Sequence, residues 1–205
     1  RERVTEREAA SKMLDIYQSL GADGFSFEPL LAFGANAADP HHMPDDTEVR
    51  PGDCLLFDVG CIKDGYCSDM TRTFYFQQVS VEHRRIYDTV RRANETAIGL
   101  VRPGVPLCEL DRAARGVIEA EGYGPYFTHR LVHFIGVGEH EHGDVSSAST
   151  KRAEAGMVFS IEPGVYLPGD TGVRVEDLVL VTEDGCEVLN HYSKELEIIG
   201  KGGER

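Results

Sequence analysis

The chain has 205 residues, enough for one large or two small domains with an ample core, and its 41% hydrophobic and 27% charged content is ordinary for a soluble globular protein. Thirty-five acidic against 21 basic residues give a formal charge of −14, which disfavours binding to nucleic acid or to an anionic membrane. No apolar run approaches the roughly 18 residues of a membrane span, the opening residues do not read as a signal peptide, and five cysteines without CxxC spacing argue against a disulfide framework or a zinc finger, so the cytoplasm is the expected location.

Thr5-Glu6-Arg7-Glu8 is a capping box, and Ala10, Met13, Leu14, Tyr17 and Leu20 follow at helical spacing until Gly21, which predicts one amphipathic helix. Phe25 to Gly34 reads as a strand, followed by a polar loop from Ala35 to Pro51 that holds Asn36, His41 and His42. From Cys54 to Phe76 two apolar, aromatic-rich runs flank Lys63-Asp64-Gly65, the pattern of an antiparallel hairpin. Each strand carries one carboxylate in an apolar setting, Asp58 and Asp69. A loop at Lys63-Asp64 pairs Asp58 with Asp69, and a loop at Asp64-Gly65 pairs Asp58 with Thr71; either register leaves both acids on one face. Two buried carboxylates that close cannot both ionise without a compensating cation, so the pair is either a metal site or two solvated acids. Cys54, Cys61 and Cys67, in or beside these strands, read as small buried hydrophobes rather than ligands.

Ser80 caps a helix whose positions Ile86, Val90, Ala93, Ala97 and Val101 face inward, ending at Pro103-Gly104. A second helix begins near Pro106 and carries Leu107, Leu110, Ala114, Val117 and Ile118 to Gly122. Strands are then expected over Phe127 to Val137, Met157 to Val165, Val173 to Thr182 and Cys186 to Leu189. The order of helix, strands, helices and strands predicts one α+β domain, spanning 1–205, with helices on one side of a largely antiparallel sheet.

The second half supplies partners for the hairpin acids. His129 and His133 share a face if their strand is regular, and His140 follows seven residues on. Glu162 ends one strand; Arg174 and Glu176 alternate onto one face of the next, and a hairpin symmetric about Gly169 sets Glu162 and Glu176 on a common face. Each alone reads as a strand-end charge. Two Asp, two Glu and one His together are the ligand inventory of two divalent ions such as Mn²⁺, Co²⁺, Fe²⁺ or Zn²⁺, and ligation without cysteine argues against a structural zinc site.

With these residues assembled, the chain resembles the catalytic domain of the pita-bread metallopeptidases, the family of Xaa-Pro aminopeptidases, prolidases and methionine aminopeptidases. The motifs are DVG(x)₈DMTRTF with Asp58 and Asp69, HRLVHFIG with His133, SIEPGVY with Glu162 and GVRVED with Glu176. The resemblance runs from about Thr5 to Ile199, and EPGVY and VRVED favour the proline-specific branch. It implies a curved, mostly antiparallel sheet with helices on its outer side, and five ligands, Asp58, Asp69, His133, Glu162 and Glu176, for two divalent ions, manganese first, with Asp69 and Glu176 bridging. It implies cleavage of peptides with proline at the second position by a metal-bridging hydroxide, with Glu162 as general base, and His41, His129, His140 and Arg174 as substrate-contacting or pocket residues. A homodimer is the expected assembly. Creatinase-like, ectoine-hydrolase-like or sulfonium-lyase-like chemistry on the same fold, or a non-catalytic peptide-binding relative, are the alternatives. Three departures stand out. Val132 and Phe134 replace the glycines that usually flank the ligand histidine, Glu141-His142-Gly143-Asp144 replaces the usual acid-then-proline stretch, and the family's amino-terminal domain and first catalytic-domain helix are missing, so Arg1 is not expected to be the native start.

Overall fold

The structure is a computed structural model that describes residues 4–143 and 149–200; Arg1 and Asp144 lie outside them. Thr5 caps as expected, with both halves of the capping box formed, but the single amphipathic helix is two short ones, α1 (Glu6–Ala10) and α2 (Met13–Ser19). The Ser11 hydroxyl donates to the Glu8 carbonyl at 2.9 Å and the Lys12 N–H turns to Ala9, so the helical ladder breaks there. The expected strand over 25–34 is likewise split, into β1 (Gly24–Phe25) and β2 (Leu30–Phe33), and a 3₁₀ turn over Gly34–Ala38 follows.

The hairpin forms β3 (Cys54–Val59), β4 (Cys61–Lys63), β5 (Tyr66–Cys67) and β6 (Met70–Phe76). Asp58 pairs with Thr71, and the tip turns at Asp64 and Gly65 with φ of 51° and 82°, the left-handed pair of a two-residue hairpin loop. Of the two registers open to the sequence, the structure takes the second. The tip strands leave the main sheet to pair with β1, while β6, β3 and β2 continue in the order β12-β6-β3-β2, where β12 (Ile198–Ile199) is a parallel edge strand that the sequence pattern did not disclose.

Helices α3 (Val81–Ile98) and α4 (Leu107–Ala120) fall as predicted, with Ser80 capping the first. They pack on each other, α3 packs on the second-half strands, and Ile86, Val90, Ala93, Ala97, Leu107, Leu110, Ala114 and Ile118 are fully buried between them. Burying such side chains stabilises by about 1.5–3 kcal/mol each for the larger ones. Asn94, buried on the same face of α3, donates to the carbonyls of Ile161 at 2.9 Å and Val175 at 3.3 Å.

Those two carbonyls mark where the second-half strands break. Instead of two long strands there are β7 (Val158–Ile161), β8 (Gly164–Leu167), β9 (Thr171–Arg174) and β10 (Asp177–Val181), followed by β11 (Cys186–Val188). The pairings Gly164 with Arg174 and Ile161 with Asp177 keep one register, symmetric about Gly169, through the break, so Glu162 lies opposite Glu176 as the hairpin reading required. Pro163 has no N–H to give, and the N–H groups of Glu162 and Glu176 turn to the carbonyls of Leu131 and Thr71.

The strand expected over Phe127 to Val137 is absent. Leu131, Val132, Phe134 and Ile135 are all buried, so no inside-outside alternation exists. The backbone there is satisfied piecemeal: Leu131 N–H by the Asp111 carboxylate, His133 N–H by the Ser160 hydroxyl, and only Phe134 makes isolated bridges. Gly172 admits the loop after β2 onto this scaffold, since a Cβ there would sit 1.7 Å from the Ala37 carbonyl oxygen.

Candidate metal centre

Asp58 sits near the end of β3, Asp69 just before β6, His133 in the irregular buried run, and Glu162 and Glu176 at the two strand breaks. The folds of the two halves bring them to one point. His133 Nε2 lies 3.3 Å from Asp69 Oδ2, 3.7 Å from Glu162 Oε1 and 3.8 Å from Glu176 Oε1. Its other ring nitrogen, Nδ1, lies 3.3 Å from the Phe134 carbonyl oxygen. A proton on Nδ1 points at that carbonyl and turns Nε2 toward the acids, the ring orientation of a metal-ligating histidine.

Asp58 joins through Arg174, whose buried guanidinium ion-pairs with Asp58 Oδ2 through Nη2. Arg174 Nε donates to Thr71 Oγ1 at 3.0 Å, and the Thr71 hydroxyl donates to Glu176 Oε2 at 2.6 Å. Arg174 Nη1 donates to the Tyr166 hydroxyl at 3.0 Å, and that oxygen stands 2.8 Å from His129 Nε2. One relay therefore links Asp58, Arg174, Thr71, Glu176, Tyr166 and His129. Thr71 and Tyr166 were not singled out in the sequence, although period two places them: Thr71 pairs with Asp58, and Tyr166 lies on the same strand face as Gly164, which pairs with Arg174.

Charge is the feature of this site that its own side chains leave unresolved. Burial, reinforced by the Glu176 charge, pushes Asp58 up to about 6 and Glu162 up to about 8, and holds Asp69 well above the usual carboxylate range. Glu176, for which burial also opposes ionisation, is nonetheless held low by the nearby His133 and the Arg174 charge. Burial opposes charge on His133 too, but the acids around it, Asp69, Glu176 and Glu162, push it up to about 11. Three buried carboxylate oxygens, Asp58 Oδ1, Asp69 Oδ1 and Glu176 Oε1, have no hydrogen-bond partner. Such orphans are costly in a dry interior. Oxygen donors with one imidazole, three of them with ligand atoms within 4.8 Å of one another (Asp69, His133 and Glu176), fit hard or borderline divalent cations.

A cavity of about 520 Å³ opens onto this cluster, and the other sequence-predicted residues, His41, His129, His140 and Arg174, all line it. The His140 ring packs edge-on to His133 with centroids 4.3 Å apart, and burial together with the His133 charge lowers its basicity. Burial likewise lowers His129 to about 4, so it is neutral near neutral pH. Of the two bulky flanks of His133, only Val132 reaches the cavity; Phe134 turns away to stack on Phe159 at 5.8 Å and to lie under Lys151 at 4.7 Å.

Behind the acids, Arg72 is buried with all five N–H groups used. Its donors meet the carbonyls of Thr71 (2.9 Å), Glu176 (2.5 Å), Tyr192 (3.0 Å) and Ser193 (3.1 Å) and the Asp177 carboxylate (2.6 Å). Asp177 also pairs with Lys194 at 3.0 Å. This group ties β6, the corner that carries Glu176 and the segment before β12 into one unit.

Residues 1–183 match metallopeptidase family M24. An uncharacterized peptidase of Staphylococcus aureus strain MRSA252 is 47% identical over 194 residues, 95% of this chain and 55% of the relative. Among solved structures, the X-Pro aminopeptidase of Thermotoga maritima superposes with a TM-score of 0.94 at 34% identity, covering 97% of this chain and 56% of that one. A prolidase of Thermococcus sibiricus does so at 0.93 and 42% identity, covering 95% and 53%. The chain thus spans about half the length of the relatives it matches.

Proposed function

Because the chain belongs to metallopeptidase family M24 and has the pita-bread fold of that family's proline-specific members, we propose that it hydrolyses the bond before proline in Xaa-Pro peptides, as an aminopeptidase or dipeptidase. The observation that carries the reading is the convergence of four carboxylates and one histidine, with three buried carboxylate oxygens that have no hydrogen-bond partner. Asp58, Asp69, His133, Glu162 and Glu176 would hold two divalent cations, manganese first and cobalt, iron or zinc as alternatives. Bound there, the cations would lower the pKa of a water and polarise the scissile carbonyl.

The chain's own residues supply the rest. Glu162 takes the proton of the attacking water and returns it to the departing proline nitrogen. His129 is held at Nδ1 by the Arg130 carbonyl and at Nε2 by the Tyr166 hydroxyl, and so shapes the pocket wall; His140, packed against His133, lines the cavity, where it hydrogen-bonds the peptide carbonyl as negative charge develops. Arg174 stays cationic between Asp58, Thr71 and Tyr166 and fixes the two acids it links. His41, which lines the same cavity, meets the substrate. The free cysteines among the described residues accord with a reducing cytoplasm, no helix among them is long and apolar enough to cross a membrane, and the assembly is proposed to be a homodimer.

A panel of Xaa-Pro, Xaa-Pro-Yaa and non-proline peptides, assayed on the full-length protein with defined metal, tests this. Xaa-Pro hydrolysis should require added divalent metal and disappear in Asp69→Asn. A folded, metal-replete Asp69→Asn protein with undiminished activity overturns the ligand assignment, and cleavage of none of the peptides by the wild type overturns the substrate class in favour of a hydrolase or lyase acting on another compound.

A further inference from the structure

Glu6 is fully buried although it belongs to a two-turn pair of surface helices and lies far from the candidate ligands in sequence. An isolated buried carboxylate is expensive unless it is fully hydrogen-bonded. Here four donors converge on it. Oε1 accepts from the Phe33 N–H at 2.7 Å and from Asn36 Nδ2 at 3.0 Å. Oε2 accepts from the Asp45 N–H at 3.0 Å and lies 2.7 Å from His42 Nε2.

Glu6, His42 and Asp45 have a spacing that would suit a cation. The donors argue otherwise: two backbone N–H groups, an amide NH₂ and an imidazole direct hydrogens at the carboxylate, which is the environment of a held anion. What the carboxylate holds is the stretch between its partners. Phe33 and Asn36 lie at its near end and His42 and Asp45 at its far end, and Pro40, His41, His42 and Met43 within it line the same cavity as the metal ligands. Backbone bonds from Glu6 N to Thr47 O and from Arg7 N to Asp45 O reinforce the grip.

We propose that Glu6 is a positioning residue for substrate binding: its carboxylate fixes the loop that presents His41 to the peptide, so the first helix sets the wall of a pocket to which it contributes no side chain. The inference rests on the proposed role of His41. It is specific about chemistry. A glutamine keeps the size but turns an NH₂ group toward one pair of donors, and an aspartate keeps the charge but is one methylene too short to reach all four.

The test is a double-mutant cycle on the metal-loaded, full-length enzyme, with the Xaa-Pro peptide that the wild type cleaves best. Glu6→Gln should raise KM by about tenfold with kcat changed by less than about twofold, the pattern of lost uniform binding, and the affinity for Mn²⁺ measured by calorimetry should stay at the wild-type value. In a His41→Ala background the same substitution should change KM by less than about twofold, because the two act through one contact. Glu6→Asp should give an intermediate KM, and it takes the place of Glu6→Gln in the cycle if the glutamine variant does not fold. Equal fold-changes in both backgrounds, or a loss of metal affinity and kcat at constant KM, would overturn the positioning role. A wild type that cleaves no Xaa-Pro peptide overturns the functional reading instead, and the two failures are told apart by that single control.

Discussion

Replacing Thr71 by valine isolates one atom of the relay. The residue is fully buried, and its hydroxyl donates to Glu176 Oε2 at 2.6 Å while accepting from Arg174 Nε at 3.0 Å. Valine fills nearly the same volume, so packing changes little, but a buried carboxylate oxygen and a buried guanidinium N–H both lose their partners. Each of the two unsatisfied groups costs about 1–3 kcal/mol, and the methyl that replaces the hydroxyl returns about 1 kcal/mol, so a net loss of about 1–5 kcal/mol is expected. For a chain of this size that lowers Tm by about 2–20 °C. Glu176 should also lose its fixed rotamer, weakening divalent-metal binding about 10- to 100-fold, the usual cost of removing a residue that orients a ligand. Calorimetric unfolding of the metal-free protein reads the first effect and a Mn²⁺ titration the second. A Tm within about 2 °C of wild type, a shift below about 1 kcal/mol, together with unchanged metal affinity, would refute the account of Thr71 as the link between Arg174 and Glu176.

Two further outcomes follow from the same geometry. Arg72→Lys leaves at most three donors for the five acceptors Arg72 now serves; urea denaturation should show a loss of about 2–5 kcal/mol, and equal stability of the variant would mean the guanidinium is not holding the corner at Glu176. His129, lowered to about 4 by burial, binds its proton more weakly folded than unfolded. Its contribution to stability is therefore present above about pH 6.5, the unfolded value, and is lost as pH falls toward 4. Tm measured across that window should fall less steeply in His129→Gln than in the wild type, and parallel curves would show that His129 does not carry the term.

The site and the fold were legible in different degrees. The helix caps at Thr5 and Ser80 follow from local side-chain-to-backbone bonds, and both formed. The face shared by Asp58 and Asp69, and the symmetry of Glu162 and Glu176 about Gly169, follow from the two-residue period of strands. The run around His133 was misread because four buried apolar residues imitate a strand, whereas its N–H groups are satisfied by Asp111 and Ser160 side chains 20 and 27 residues away. The split of the first helix falls where the Ser11 hydroxyl takes the Glu8 carbonyl and the Lys12 N–H turns to Ala9, local bonds that spacing alone does not disclose.

Residue type and period are properties of the chain itself, so the sequence determined the donor set, the faces on which those donors stand and the caps of its helices. Only the tertiary structure decided which hairpin register is used, that Phe134 turns from the cavity while Val132 enters it, and that Thr71, Tyr166 and Arg72 bind the acids into one unit. It also decided that Glu6 is a buried anchor rather than merely a capping-box residue. The physical reason is common to all of these: a buried polar group takes whatever partner the fold brings within about 3 Å, and that partner is chosen by how distant segments pack.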